Sequence, residues 1–214
     1  MRLILFGAPG SGKGTQADLI SDFYKIKKIV LGDILREEIS KNTELAEEIK
    51  KYMFRGLLVP DELVSSVVEK NIDKDGFVLD GYPRNLKQAL DLEGIFSNKN
   101  ISYDAFIYLE IDKETMINRL SKRLICKNCN INYHTENMPP KVDGICDKCK
   151  GKLTKRPDDE PDVIEKRFEV FLENSKEVLD FYKNKNKLLT IDARPSSNIV
   201  FKNIKESISL LCRR

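Results

Sequence analysis

The sequence predicts an α/β fold, a parallel sheet wrapped by helices on both faces. Three observations carry that prediction. Short apolar runs of strand type alternate with longer stretches of helical spacing along most of the chain. The first strand, Arg2–Phe6, runs straight into a glycine-rich turn, Gly7-Ala-Pro-Gly-Ser-Gly-Lys-Gly-Thr15, and the turn runs into a helix. That turn and a second acid-tipped strand ending at Asp80 both fall at strand carboxyl ends, where such sheets place their ligands.

Taken in order, Thr15–Phe23 carries helix-forming residues with apolar positions at Ala17, Leu19, Ile20 and Phe23. Ile29–Leu31 is a short apolar run, and Gly32-Asp33 opens a helical stretch, Ile34–Ser40. A second stretch, Glu44–Phe54, stops at Gly56. Pro60-Asp61-Glu62 begins a helix striped by Leu63, Val64, Val67 and Val68. Gly76–Asp80 reads as a buried strand, Gly81–Arg84 as a turn, Asn85–Phe96 as a helix and Ala105–Ile111 as a strand. The spacing then predicts a helix over Lys113–Leu124, which would set Arg119 and Arg123 on one face. From about Lys122 to Asp159 the chain is rich in Lys, Asn, Gly, Pro and Cys, with little periodicity. Helical spacing returns at Pro161–Asn184, with Ile164, Phe168, Phe171, Leu179 and Tyr182 on one side. A last strand, Leu188–Ile191, and a last helix, Ser196–Leu211, close the sequence. One α/β core with two inserts is the economical reading.

The 214 residues suffice for one substantial core. A formal charge of +3 among 33% charged residues argues for neither nucleic-acid nor membrane binding. The N-terminal apolar run is too short for a signal peptide, and no stretch approaches the roughly 20 apolar residues of a membrane span. The chain therefore reads as cytoplasmic. Of five cysteines, four stand as Cys126-x2-Cys129 and Cys146-x2-Cys149. That spacing, in a reducing compartment, points to a closed tetrahedral structural zinc site. The segment has almost no apolar core of its own, so metal would supply its folding energy. His134 nearby is read as a solvated loop side chain, and Cys212 as an unpaired thiol.

The glycine turn carries the clearest chemistry. Glycines let backbone N–H groups turn inward, the helix N-terminus adds partial positive charge, and Lys13 brings a full charge to the outer phosphates. The pattern departs from the general phosphate loop at Gly14, where Ser or Thr normally follows the lysine; Thr15 comes one place later. Phosphoryl transfer needs cations around the moving group and exclusion of water. Candidate cations are Arg36, Arg84, Arg119, Arg123, Arg156 and Arg167, with Arg123 and Arg156 at the two ends of the cysteine segment. Asp80 suits magnesium, held through bound water.

The glycine loop, Gly32-Asp33-x-Leu-Arg36, Asp80-Gly-Tyr-Pro-Arg84 and the four-cysteine insert together resemble adenylate kinase in its long, zinc-bearing bacterial form, almost end to end. The resemblance implies a nucleoside monophosphate kinase fold with a core of residues 1–29, 60–121 and 160–214. It adds an AMP-binding insert at 30–59 and a zinc-bearing lid at 122–159. It implies transfer of the terminal phosphate of Mg-ATP to AMP, giving two ADP, in a monomeric cytoplasmic enzyme.

By resemblance, Gly10, Ser11, Gly12, Lys13, Gly14 and Thr15 hold the ATP phosphates. Arg119, Arg123, Asn132 and Tyr133 meet ATP, and Arg194 lies near its base. Arg36, Leu57, Leu58, Val59, Gly81, Tyr82, Pro83, Arg84 and Gln88 form the AMP site. Arg156 and Arg167 clamp the phosphates between the nucleotides, and Asp158 and Asp159 order the closed lid. Leu31 departs from the family, which usually has Thr there, and so removes a hydroxyl from the edge of the AMP base pocket. Gln88, which reads adenine in the family, is present. Rival readings are a UMP, CMP or GTP-using relative, a zinc-ribbon nucleic-acid-binding protein, and a nucleotide-binding switch without turnover. The 38 residues of the insert disfavour a UMP or CMP kinase but not a GTP-using relative, and the absence of a dense basic stripe disfavours the nucleic-acid-binding protein.

Overall fold

The computed structural model describes residues 1–41, 43–129 and 131–211; Cys212 lies outside the described residues. The chain begins β1 (Arg2–Gly7), α1 (Lys13–Tyr24), β2 (Lys27–Val30), α2 (Leu31–Ile39), α3 (Glu44–Met53) and α4 (Asp61–Asn71). It continues β3 (Phe77–Asp80), α5 (Leu86–Lys99), β4 (Ala105–Glu110) and α6 (Lys113–Ser121). Three short strands follow, β5 (Arg123–Cys126), β6 (Asn132–His134) and β7 (Leu153–Thr154), then α7 (Pro161–Asn184), β8 (Leu188–Asp192) and α8 (Ser197–Leu211).

Five strands form a parallel sheet in the order β2-β3-β1-β4-β8. Along β1 the side chains alternate faces, as the two-residue period of a strand requires. Leu3 and Leu5 pack with Ala17 of α1 and Val200, Ile204 and Ile208 of α8. Ile4 and Phe6 face the other way, into a layer built from α2, α4, α5 and α7. There Tyr182 stacks on Phe106 with ring centroids 3.7 Å apart. Burying one such aliphatic or aromatic side chain is worth about 1.5–3 kcal/mol, so two filled faces account for the sheet's near-complete burial. The chain places β2 and β3 on one side of β1, then β4 and β8 on the other. The glycine turn after β1 thus sits where the strand order reverses, and a crevice opens at the carboxyl ends.

The structure corrects four expectations. The helix expected over Lys113–Leu124 ends at Ser121. Arg123–Cys126 instead pairs antiparallel with β6 and β7, so Arg119 and Arg123 do not share a helical face. Strand pairing and the packing of Leu124 beside Tyr133 and Leu153 override the local helical spacing. The insert that lacked periodicity is a three-stranded sheet, β6-β5-β7, whose strands of two to four residues are too short to show any. The run read as Ile29–Leu31 is a strand over Lys27–Val30, with Leu31 starting α2. Phe23, one of the apolar positions of the first helical stretch, is exposed and lies edge-on to Phe201.

Candidate active site

The glycine loop curls because two of its glycines have backbone angles that side chains rarely tolerate. Gly10 has φ +73° and Gly12, the residue before α1, has φ +90°. At Gly10 a Cβ would also stand 3.0 Å from Leu120 Cγ, so α6 packs directly on the loop. Lys13, first residue of α1, reaches back into this curl. Its Nζ donates to the carbonyls of Gly7 at 2.8 Å and Ala8 at 2.9 Å. Desolvation there pushes its ammonium down to about 8, against the pull of Asp80 and with Arg84, Arg167 and Arg123 adding repulsion. Asp80, at the tip of β3, is buried; burial raises its carboxyl, opposed by Lys13 and Arg84.

One cleft of about 470 Å³ opens over the loop. Lys13, Arg36, Arg84, Arg119, Arg123, Arg156 and Arg167 all border it, facing the two acids Asp33 and Asp80. They come from α1, α2, the turn after β3, α6, β5, the segment after β7, and α7. Such a concentration of cations leaves only the sparing use of carboxylates to hold it together. Arg123 donates through Nε to Asp159 at 2.7 Å and through Nη2 to its other oxygen. Arg167 donates to both Asp158 and Asp159 at 3.1 Å. Arg36 pairs with Asp33 and lies 3.9 Å from Asp158. Burial would raise the Asp158 carboxyl, but Arg167, Arg36, Arg123 and Arg156 together hold it low.

The arginines feel the opposite force. Desolvation pushes Arg84 down to about 10 and Arg156 down to about 9, with neighbouring arginines contributing in both cases. Arg156 spends one Nη2 bond on Asn132 Oδ1 at 2.7 Å, while its buried Nε has no partner among the described residues. The cleft is therefore short of negative charge and holds an unused donor, as a site for polyanions should.

Other expected residues take varied places. Gly10, Ser11, Gly12, Gly14, Thr15, Asn132, Tyr133 and Arg194 border the cleft, as do Leu58, Gly81 and Pro83. Arg119 donates to the backbone oxygen of Arg194 at 2.9 Å, while the Arg194 side chain is drawn off to Asp192. Leu31, Val59 and Tyr82 are buried in the core layer under α2 and α4, and do not line the cleft. Nor does Leu57, which is exposed. Gln88 is buried, accepts from Arg84 N at 2.8 Å and donates to Asp61 at 2.8 Å, so it braces the turn that carries Arg84.

Sequence reasoning passed over His134, Asn137 and Met138, which also border the cleft. His134 is not a solvated loop residue. It ends β6, and its Nδ1 accepts from the N–H groups of Glu136 at 3.1 Å and Asn137 at 3.0 Å. Only the pairing of β5 with β6 brings it there, and a three-residue strand leaves no periodic signal. Asp33 was legible in principle, since it stands three residues before Arg36 on one helix.

Beyond the cleft, the Sγ atoms of Cys126, Cys129, Cys146 and Cys149 all lie within 4.8 Å of one another. Cys126–Cys149 is 3.3 Å and Cys129–Cys146 is 3.6 Å. Sulfurs on a tetrahedral zinc at about 2.3 Å are spaced by about 3.8 Å, so the cluster fits that ion. The surroundings are shaped for the sulfurs: Asn128 N–H lies 3.4 Å from Cys126 Sγ, and a Cβ at Gly151 would stand 3.0 Å from it.

Comparison with known proteins agrees with the geometry. Residues 5–187 match the family model for adenylate kinase. An adenylate kinase of Thermoanaerobacter sp. (strain X514) is 43% identical over 212 residues, 97% of this chain and 98% of that protein. One from Clostridium tetani is 41% identical over 215 residues, 99% of this chain and all of that protein. One from Clostridioides difficile is 43% identical over 208 residues, 95% and 96% of the two chains.

Proposed function

The chain belongs to the adenylate kinase family and transfers phosphate from ATP to AMP, and from that premise we propose how its residues divide the work. The observation that supports the division is the cleft in which Lys13, Arg36, Arg84, Arg119, Arg123, Arg156 and Arg167 converge from seven places in the chain.

Gly10–Thr15 wrap the donor phosphates with backbone N–H groups, and Lys13 turns from the loop carbonyls to the transferring end. Arg84 and Arg36 hold the acceptor phosphate. Arg123, Arg156 and Arg167 surround the group in flight, where preorganised charge lowers the barrier more than in water. Arg119 lies along the donor base beside the Arg194 backbone, with Asn132 and Tyr133 above. Asp80, the buried acid at the tip of β3, would hold magnesium, which would supply charge neutralisation of the ATP phosphates. The four cysteines hold structural zinc and take no part in transfer.

In this scheme residues 1–29, 60–121 and 160–214 are the core, 30–59 the AMP-binding insert and 122–159 the lid. The lid shuts water out when both substrates are present. The enzyme acts as a cytoplasmic monomer with no nucleic-acid or membrane partner; no helix among the described residues is long and apolar enough to cross a membrane.

A coupled assay of ADP formed from Mg-ATP, run with AMP, CMP, UMP, GMP or no acceptor, tests the scheme. Strong turnover with AMP and slow turnover without acceptor are expected. CMP or UMP matching AMP would overturn AMP as the acceptor.

A further inference from the structure

Tyr133 stands in two sites at once. It sits mid-strand in β6, paired with Leu124 of β5, and it borders the nucleotide cleft between Asn132 and His134. Its phenol oxygen points the other way, into the cysteine cluster. That oxygen accepts from Asp147 N–H at 2.8 Å and lies 3.4 Å from Cys146 Sγ. A metal-bound thiolate carries no proton, and the oxygen is already accepting from Asp147. The hydroxyl hydrogen is therefore the group that meets Cys146. Partners of this kind orient a metal's ligands, and their loss typically costs 10–100-fold in metal affinity. The cluster around it is small: Cys126, Cys146 and Leu153 are buried beside Tyr133, with Leu124, Cys129 and Ile131 packed against them.

We propose that Tyr133 is a positioning residue that couples metal retention in the cysteine cluster to nucleotide occupancy of the cleft, because its phenol meets Cys146 while the residue itself borders the cleft. The proposal rests on reading the cleft as the ATP site. A nucleotide that seats against the β6 wall holds Tyr133 in the place from which it donates to Cys146, and so retains the metal. Linkage makes the effect reciprocal: the metal tightens nucleotide by the same factor.

The experiment follows zinc leaving the zinc-loaded protein into a chromophoric chelator, with and without a non-hydrolysable ATP analogue. In the native protein the analogue should slow release by ~5-fold or more, the lower end of ordinary coupling between sites. Tyr133→Phe, which keeps the ring, should speed release by ~10-fold and cut the analogue's protection to less than about twofold. Leu153→Ala loosens the same apolar cluster without touching the phenol; it should also speed release, yet keep the native degree of protection. Absence of protection in the native protein would overturn the coupling, as would protection undiminished in Tyr133→Phe or lost equally in Leu153→Ala. ADP formation from ATP and AMP on the same preparations reports separately on the cleft. Active enzyme without protection rejects the coupling alone.

Discussion

At the scale of single residues the cleft is a contest between desolvation and charge. Arg123 illustrates it, because its carboxylate partner Asp159 is shared with Arg167. Arg123→Ala should therefore leave Asp159 paired and the fold intact, while turnover falls on the order of 10³-fold, the usual contribution of an arginine on transferring phosphate. Steady-state kinetics beside a melting curve checks both halves, and native turnover would refute the assignment. Lys13 gives a pH dependence. Its ammonium in the empty cleft is pushed down to about 8, below its value near 10.4 in an unfolded chain. Folding thus favours its neutral form: its burial penalty is present in full below pH 8 and fades as pH rises toward 10. Phosphate needs the charged form, so kcat/KM for ATP, which reports on the free enzyme, should fall as pH rises through about 8. A profile flat to pH 9.5 would contradict this. Residues of this kind were legible where chemistry and spacing coincide, as in Lys13 among its glycines and in the paired cysteines. Gln88 and Tyr133 were legible only through the family resemblance, as an AMP-site residue and an ATP contact. Their second bonds, to Asp61 and Cys146, depend on contacts between segments that no spacing encodes.

At the scale of elements, the parallel sheet and its helices were readable because each buries one face of a long repeating pattern. The stretch after Ser121 was not. Its strands have no core beyond a handful of side chains around the cysteines, so the helical spacing of Lys113–Leu124 read past the true end of α6. The same poverty makes a prediction. Stripping metal from the protein should unfold β5, β6 and β7 while the five-stranded sheet and its helices survive, since structural zinc supplies on the order of 10 kcal/mol to such small modules. Amide exchange should show protection lost between residues 123 and 154 and kept in β1 and β4. Loss of protection in both places together would show that the two sheets stand or fall as one.

At the scale of the whole molecule, the reversal of strand order at β1 decides where the cleft lies, and each element that adds an arginine reaches it from a different side. The general position of the cleft followed from the glycine loop alone. Its lining by α7 and the segment after β7 did not, because residues such as Arg167 are remote in sequence from the loop they face. The segment with the four cysteines opens at Arg123 and closes at Asp159, and the ion pair between those two residues clips its exit to its entry. A module tied off at its own base is a cassette. A chimera carrying a metal-free insert between the same two ends should therefore still fold, and a melting curve of that chimera checks it.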